Sequence, residues 1–144
     1  MTNRKCGTCT KCCEGYLIAN VLGQEIGNGK PCIFVEIGKG CKEYSKRPKD
    51  PCKIFNCGWL DSEEIPEKFK PDKTGVIITF RTTDKSKTHY MKLHSAPEDP
   101  SPEMLSWAFL SAVKTPFNLV WELNKKGYYF GTPTFCEEMK EIYG

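Results

Sequence analysis

The chain has 144 residues, nine of them cysteine, and 21 Lys and Arg against 18 Asp and Glu give it a formal charge of +3. This length holds one domain, or one domain with a differentiated half, and no apolar run approaches the roughly 20 residues of a membrane span. The start Met1-Thr2-Asn3-Arg4-Lys5-Cys6 lacks the apolar stretch of a secretory signal, so the expectation is a cytoplasmic chain whose cysteines stay reduced and bind metal or react.

Residues 1–15 are Cys-, Gly-, Thr- and Lys-rich and read as a metal-organised loop. Tyr16-Leu17-Ile18-Ala19 to Val21-Leu22 is an apolar patch, either a short strand or one helical turn. Residues 23–29 carry turn chemistry. Residues 31–37 read as a short strand, and Gly38-Lys39-Gly40 as a turn presenting Cys41. Residues 42–50 are basic and irregular, ended by Pro48 and Pro51. The segment from Cys52 to Cys57 fits a loop or a helical turn. Trp59 and Leu60 are apolar anchors, and Asp61-Ser62-Glu63-Glu64 could open a helical turn limited by Pro66.

After Pro71-Asp72-Lys73-Thr74-Gly75 the composition changes to that of an ordinary α+β protein. Residues 76–81 and 88–95 predict a hairpin about Asp84-Lys85-Ser86. Ser101-Pro102-Glu103 is a helix start, and Leu105, Ala108, Phe109, Ala112 and Val113 give that helix an apolar face up to Pro116. Residues 117–123 and 127–131 suggest a second hairpin about Asn124-Lys125-Lys126-Gly127. Thr134-Phe135-Cys136-Glu137 has capping-box form, with Phe135, Met139, Ile142 and Tyr143 as the inner stripe of a last helix. The expected architecture is α+β. An irregular Cys-rich module (1–72) packs on a small antiparallel sheet (73–144), with helices on one face in β-β-α-β-β-α order.

The chemistry lies in eight cysteines: Cys6, Cys9, Cys12, Cys13, Cys32, Cys41, Cys52 and Cys57. A C-x2-C turn aims two sulfurs the same way. The continuous C-x2-C-x2-C rhythm of Cys6, Cys9 and Cys12 suits the wide faces of a cubane, with a fourth ligand from elsewhere. A [4Fe–4S] cluster is therefore favoured, with zinc as the close alternative. Neighbouring side chains diverge, so Cys12 and Cys13 serve different centres, or one is not a ligand. Cys136, alone beside Phe135, reads as a buried structural thiol. A disulfide scaffold suits the odd cysteine count and the adjacent pair poorly.

The pattern of Cys6, Cys9, Cys12-Cys13, Pro31-Cys32, Gly40-Cys41, Tyr44, Arg47-Pro48, Cys52, Phe55, Cys57 and Trp59 resembles the CxxCxxCC family of zinc- or iron-chelating proteins (the YkgJ type). So does the continuation Ile65-Pro66-Glu67, Phe69-Lys70-Pro71-Asp72-Lys73 and Gly75, so that the resemblance covers residues 6–78. Pro51 is an extra residue before Cys52. The resemblance implies metal binding through these cysteines and no assigned activity for most members. One branch, the flagellin lysine N-methylases, couples a similar cysteine set to methyl transfer, but it is longer, and no substrate machinery here matches it.

Arg47 and Tyr44 match that motif. Arg47 could donate to thiolates or a loop carbonyl and offset the charge of the site. His89 and His94, five apart on one predicted strand, face opposite ways and are poor joint ligands. Lys39, Lys42, Lys46, Arg47, Lys49 and Lys53 could track a phosphate backbone, but Glu43 and Asp50 interrupt them, and thiolates would offset the basic charge. Trp59, Trp107 and Trp121 read as core. Three readings remain: a thiolate metal protein, a zinc-stabilised module for nucleic acid or protein, and a cluster-dependent redox or methyl-transfer enzyme. No Ser/His/Asp set, phosphate loop or carboxylate pair supports other chemistry.

Overall fold

A computed structural model describes residues 3–27, 29–95, 98–114 and 118–144. Its cysteine-rich half is built from small pieces. Leu22 and Gly23 take φ of 52° and 85° and close a tight hairpin between β1 (Ala19–Val21) and β2 (Gln24–Ile26). Of the turn expected over 23–29, Gln24–Ile26 is therefore strand. The strand expected over 31–37 shrinks to β3 (Val35–Glu36), paired with β4 (Gly40–Cys41). The reason is where the donors go. Pro31 has no N–H, Cys32 N–H donates to Cys13 O at 2.9 Å, and Val35 N–H turns back to Cys32 O at 3.2 Å.

One wide helical turn spans Lys49–Lys53, and α1 spans Gly58–Asp61. The helix expected to open at Asp61 instead ends there, where Ser62 N–H caps Gly58 O at 2.9 Å. A separate 3-10 turn, Glu67–Phe69, follows Pro66 and leads into α2 (Pro71–Thr74). Gly75, at φ 70°, stops α2 in the left-handed region that glycine accepts without strain.

The second half supplies the sheet. The strands β5 (Val76–Thr82) and β6 (His89–Ser95) form the expected hairpin. Helix α3 (Pro102–Lys114) begins as expected, with Ser101 Oγ accepting the N–H of Met104 at 3.2 Å. Its expected stop at Pro116 lies outside the described residues, as does Phe117. The buried ridge of α3 is Met104, Ala108 and Ala112. Leu105 and Phe109 flank it half-buried, while Val113, one residue past the ridge, swings out to 68% exposure.

A turn at Asn124 and Lys125, with φ of 52° and 65°, joins β7 (Asn118–Leu123) to β8 (Lys126–Phe130). Helix α4 (Pro133–Tyr143) is capped by Thr132, whose side chain accepts from Phe135 N–H, and not by Thr134. Pro133, with its φ preset and no N–H to lose, takes the first helical position and moves the start two residues upstream. Phe135 and Met139 line the inner stripe, Tyr143 is half-buried, and Ile142 is 66% exposed.

The sheet order is β5-β6-β7-β8, antiparallel except that β6 and β7 are parallel. This corrects the all-antiparallel expectation: α3 carries the chain back along the sheet, so β7 runs beside β6 in the same direction. Helices on one face are corrected too. The first four residues of β7 are buried, on both faces of the sheet. Trp121 meets Phe109 of α3 with ring centroids 4.9 Å apart. Val120, on the opposite face, packs with Phe135 and Met139 of α4. The Cys-rich half shares the α3 face: Gly58 of α1 lies so close to β5 that a Cβ there would sit 2.9 Å from Ile78 Cγ2. One buried cluster unites Cys57, Trp59, Ile65 and Phe69 with Val76, Ile78, Leu93, Met104 and Leu119.

Candidate metal centre

Three local devices draw the cysteine-bearing segments together. The first is a tight turn, in which Cys9 N–H donates to Cys6 O at 3.0 Å with Gly7 at φ 60°. A 3-10 turn over Lys11–Cys13 then places Cys12 and Cys13 side by side, with their sulfurs hydrogen-bonded at 3.9 Å, which corrects the expectation that the two side chains diverge. The second is a close backbone approach. Gly29 N–H donates to Gly15 O at 3.0 Å, and a Cβ on Gly15 would lie 2.7 Å from Gly29 C. This contact draws the segment leading to Cys32 against the loop after Cys13. The third is Arg4. Its guanidinium donates to the carbonyls of Trp59 (2.9 Å), Ser62 (2.9 Å) and Ile65 (2.7 Å) and lies over the Trp59 ring. That clamp ties the chain just before Cys6 to the helix that Cys57 caps.

The sulfurs fall into two neighbourhoods. Cys12 packs on the cluster containing Cys57. Cys13 and Cys52 pack on a separate small cluster of Val21, Ile26 and Cys32. Electrostatics does not divide them as cleanly: burial, then the charges of Cys57 and Cys9, push the Cys6 thiol up, Lys70 opposes them, and Cys13 of the other neighbourhood adds a further push. Burial, then Cys13, Cys32 and Cys41, push Cys52 up, while Arg47 opposes them. The Cys12 thiol is raised first by its hydrogen bond to Cys13 and next by burial. The same bond lowers Cys13 to about 7, against burial and Glu14, with help from Arg47.

Backbone donors also reach the sulfurs. Burial raises Cys57, and the N–H groups of Leu60 and Trp59 at the start of α1 pull the other way. Burial raises Cys9, opposed by the N–H groups of Lys11 and Asp72. N–H groups aimed at sulfur stabilise thiolates and tune the metals they hold. Among the described residues, no three His, Cys, Asp or Glu side chains converge closely enough to hold one ion. All nine cysteines are free.

Arg47 lies near Cys13 and Cys52, held by its Nε–H to Tyr44 O at 3.0 Å and stacked 3.7 Å above the Tyr44 ring. Tyr44 itself is 64% exposed and braces Arg47. Cys136 is half-buried on α4, with its sulfur 3.6 Å from Gly131 O, away from the other eight cysteines. His94 is buried and bonded to Thr79, while His89 is exposed. Trp59 and Trp121 are buried, and Trp107 packs half-buried and tilted against Phe69, which leaves none as a free platform for bases.

Sequence reasoning did not assign roles to Arg4, Lys70 or Thr10. Lys70 stands over the Trp59 ring at 5.3 Å, beside Cys6 and Cys9. Its only sequence signal was its place within Phe69-Lys70-Pro71-Asp72. Thr10 Oγ1 accepts from Gly38 N–H at 3.0 Å and donates to Glu14 at 2.6 Å, which ties the first cysteine loop to the β3–β4 hairpin. An open groove of about 380 Å³ runs past Arg4, Lys5, Trp59, Glu63, Glu67 and Lys70. No helix of the described residues is long and apolar enough to cross a membrane.

No family model, curated protein or solved structure matches the chain.

Proposed function

We propose that this chain is a thiolate metal-binding protein that holds an iron–sulfur cluster. The observation that carries the reading is the grouping of cysteine-bearing segments about the adjacent pair Cys12 and Cys13, whose sulfurs lie 3.9 Å apart, with backbone N–H groups turned toward Cys9 and Cys57. The donor set is all sulfur, which suits iron–sulfur clusters and zinc and not the harder ions. Cys6, Cys9 and Cys12 carry the cubane rhythm, with Cys57 as the neighbouring fourth sulfur. A bound cluster would supply electron transfer, and the chain's part is to orient the sulfurs, offset their charge with Lys70 and Arg47, and keep water off Cys57 and Cys32, which are both buried. The resemblance to the CxxCxxCC family supports the same reading.

Zinc is the second reading. Cys13, Cys32, Cys41 and Cys52 come from four separate segments, and a small ion would cross-link these in place of a core. An enzymatic role is favoured by one observation, the open groove beside Lys70. The test is elemental analysis with a UV–visible spectrum on protein purified without oxygen. Iron with equimolar acid-labile sulfide and a broad visible band is the expected result. Colourless protein with stoichiometric zinc would replace the cluster reading with the structural one. Reversible reduction of a cluster in a potentiometric titration would support redox chemistry over a purely structural role.

A further inference from the structure

We infer that Cys12 and Cys13 form a redox modification site, a vicinal dithiol that peroxides close reversibly to a disulfide, and that its closure takes two sulfurs from the metal site. The second half rests on the thiolate reading, because metal and disulfide compete for the same sulfurs. The first half does not.

The two sulfurs lie 3.9 Å apart and share a hydrogen bond, and among the described residues no other two sulfurs do so. A disulfide bond is about 2.05 Å long, so closing the gap takes a shift of roughly 2 Å. Both side chains are half-buried, which leaves a small oxidant room to reach them. The backbone holds the pair together. Cys13 N–H donates to Thr10 O at 2.9 Å and Glu14 N–H to Lys11 O at 3.1 Å, which closes the 3-10 turn around them. Buried Thr10 donates to Glu14 at 2.6 Å and accepts from Gly38 N–H at 3.0 Å, and Lys11 pairs with Glu14 at 3.1 Å. The turn is thus clamped at both ends.

Strain makes the closed form temporary. Adjacent Cα atoms are about 3.8 Å apart across a trans peptide, whereas disulfides ordinarily bridge Cα atoms about 4.4–6.8 Å apart. A bond between neighbours is therefore strained and easily reduced, which is the character of regulatory disulfides and not of structural ones. Closure also has something to act on. Cys12 packs on the large cluster that reaches the sheet, Cys13 on the small one that contains Cys32, and Cys13 O accepts the Cys32 N–H at 2.9 Å. Drawing the sulfurs together turns the peptide between them and so disturbs the contacts on both sides.

The chemistry balances with hydrogen peroxide as the oxidant. The sulfur that accepts the hydrogen bond attacks one peroxide oxygen, and the O–O bond breaks. A sulfenic acid forms, and the departing hydroxide takes the thiol proton and leaves as water. The neighbouring sulfur then attacks the sulfenic sulfur. The S–O bond breaks, the S–S bond forms, and the hydroxyl leaves as a second water with the second thiol proton. Two thiols lose two electrons and one peroxide gains them.

The test uses the full-length chain purified without oxygen, one sample as isolated and one stripped by a chelator. Each is titrated with hydrogen peroxide, alkylated with iodoacetamide, cleaved after lysine and glutamate, and weighed by mass spectrometry. Cleavage after Lys11 and Glu14 releases Cys12-Cys13-Glu14, which carries these two cysteines and no other. At about one equivalent of peroxide this fragment should emerge unalkylated and two hydrogens lighter, ahead of the other cysteines. Closure should be faster in the stripped sample, should release bound metal from the other, and should be reversed by glutathione. Of Cys12→Ser and Cys13→Ser, the variant that keeps the attacking sulfur should hold a sulfenic acid that dimedone labels. The wild-type mapping stands without either variant. A fragment alkylated at both cysteines in both samples, oxidation to sulfinic acid without closure, or a disulfide that glutathione leaves intact overturns the modification site and leaves the thiolate reading standing. Metal fully retained after closure overturns the competition alone. Closure in a chain that carries no metal as isolated and takes up none overturns the thiolate reading and keeps the modification site.

Discussion

Arg47 and Lys70 show how single residues prepare a thiolate site. Each is a cation placed within a cluster of groups that repel one another, and each is held by an aromatic ring: Tyr44 under Arg47 at 3.7 Å, Trp59 under Lys70 at 5.3 Å. A flexible cation stacked on a ring loses less entropy when it is needed. Arg47→Gln should therefore weaken metal retention about tenfold, as groups that support metal ligands commonly do. Tyr44→Ala should weaken it less, because it removes only the brace. A chelator competition read by a colorimetric zinc or iron indicator measures both. His94 illustrates the opposite case, a titratable group held neutral. It is 8% exposed, and burial, followed by Lys92 and Arg81, depresses its pKa from 6.5 to about 3. Thr79 Oγ1 accepts from Arg81 Nε–H at 3.1 Å and is hydrogen-bonded to His94 Nε2 at 2.8 Å. The unfolded chain takes up a proton near pH 6.5 that the folded chain refuses until about pH 3. The stability tied to His94 is thus complete above pH 6.5 and is lost as pH falls from there toward 3, at up to about 1.4 kcal/mol per pH unit. Urea unfolding at pH 7 and pH 5 of the wild type and His94→Gln checks this. The wild type should lose about 1–2 kcal/mol more than the variant over that interval.

At the scale of elements, starts and stops were the most legible feature where proline or serine marks them, and the least legible where a partner decides. Ser101-Pro102-Glu103 opens α3 as its residue types require. The same logic applied to Thr134 missed the true cap, because Thr132-Pro133 lies just upstream and uses the same chemistry. The difference is measurable. Thr132→Ala should cost about 1 kcal/mol of stability by chemical denaturation, and Thr134→Ala close to nothing. The parallel pairing of β6 with β7 could not be read from alternation, because a strand pattern carries no direction. It follows only from α3 crossing the sheet between them. Likewise, Leu119, Val120 and Trp121 in succession say that β7 is covered on both faces, but not which helix covers each. Gly131 shows how tightly these choices interlock. A Cβ there would sit 2.0 Å from Asn118 Oδ1, the atom that accepts the Thr132 N–H at 2.9 Å, while Asn118 Nδ2 donates to His89 O at 3.0 Å. Gly131→Ala should cost more than about 2 kcal/mol, since it breaks a buried hydrogen-bonded junction of β6, β7 and α4.

Across the whole molecule, the two halves differ in what can hold them together. The sheet and its helices have apolar clusters on both faces. The local spacing of Cys6, Cys9 and Cys12 made them legible as neighbours, whereas the packing of Cys12 and Cys13 on different apolar clusters depended on contacts distant in sequence. Among the described residues from Cys13 to Cys52, most apolar packing is onto a small cluster whose buried members are Val21, Ile26 and Cys32, with Tyr16 and Leu17 reaching the large one. So small a core is what a metal ion tying together the segments of Cys13, Cys32, Cys41 and Cys52 would supplement. Removing it with a chelator under reducing conditions should therefore not unfold the chain uniformly. Amide hydrogen exchange followed by mass spectrometry should show residues 13–52 losing protection at once, while β5, β6 and β7 stay protected through the contacts of Leu93, Met104, Ala108 and Leu119. If the Cys-rich half kept its protection without metal, its order would have to come from the protein alone, and the proposed ions would be passengers on a finished fold.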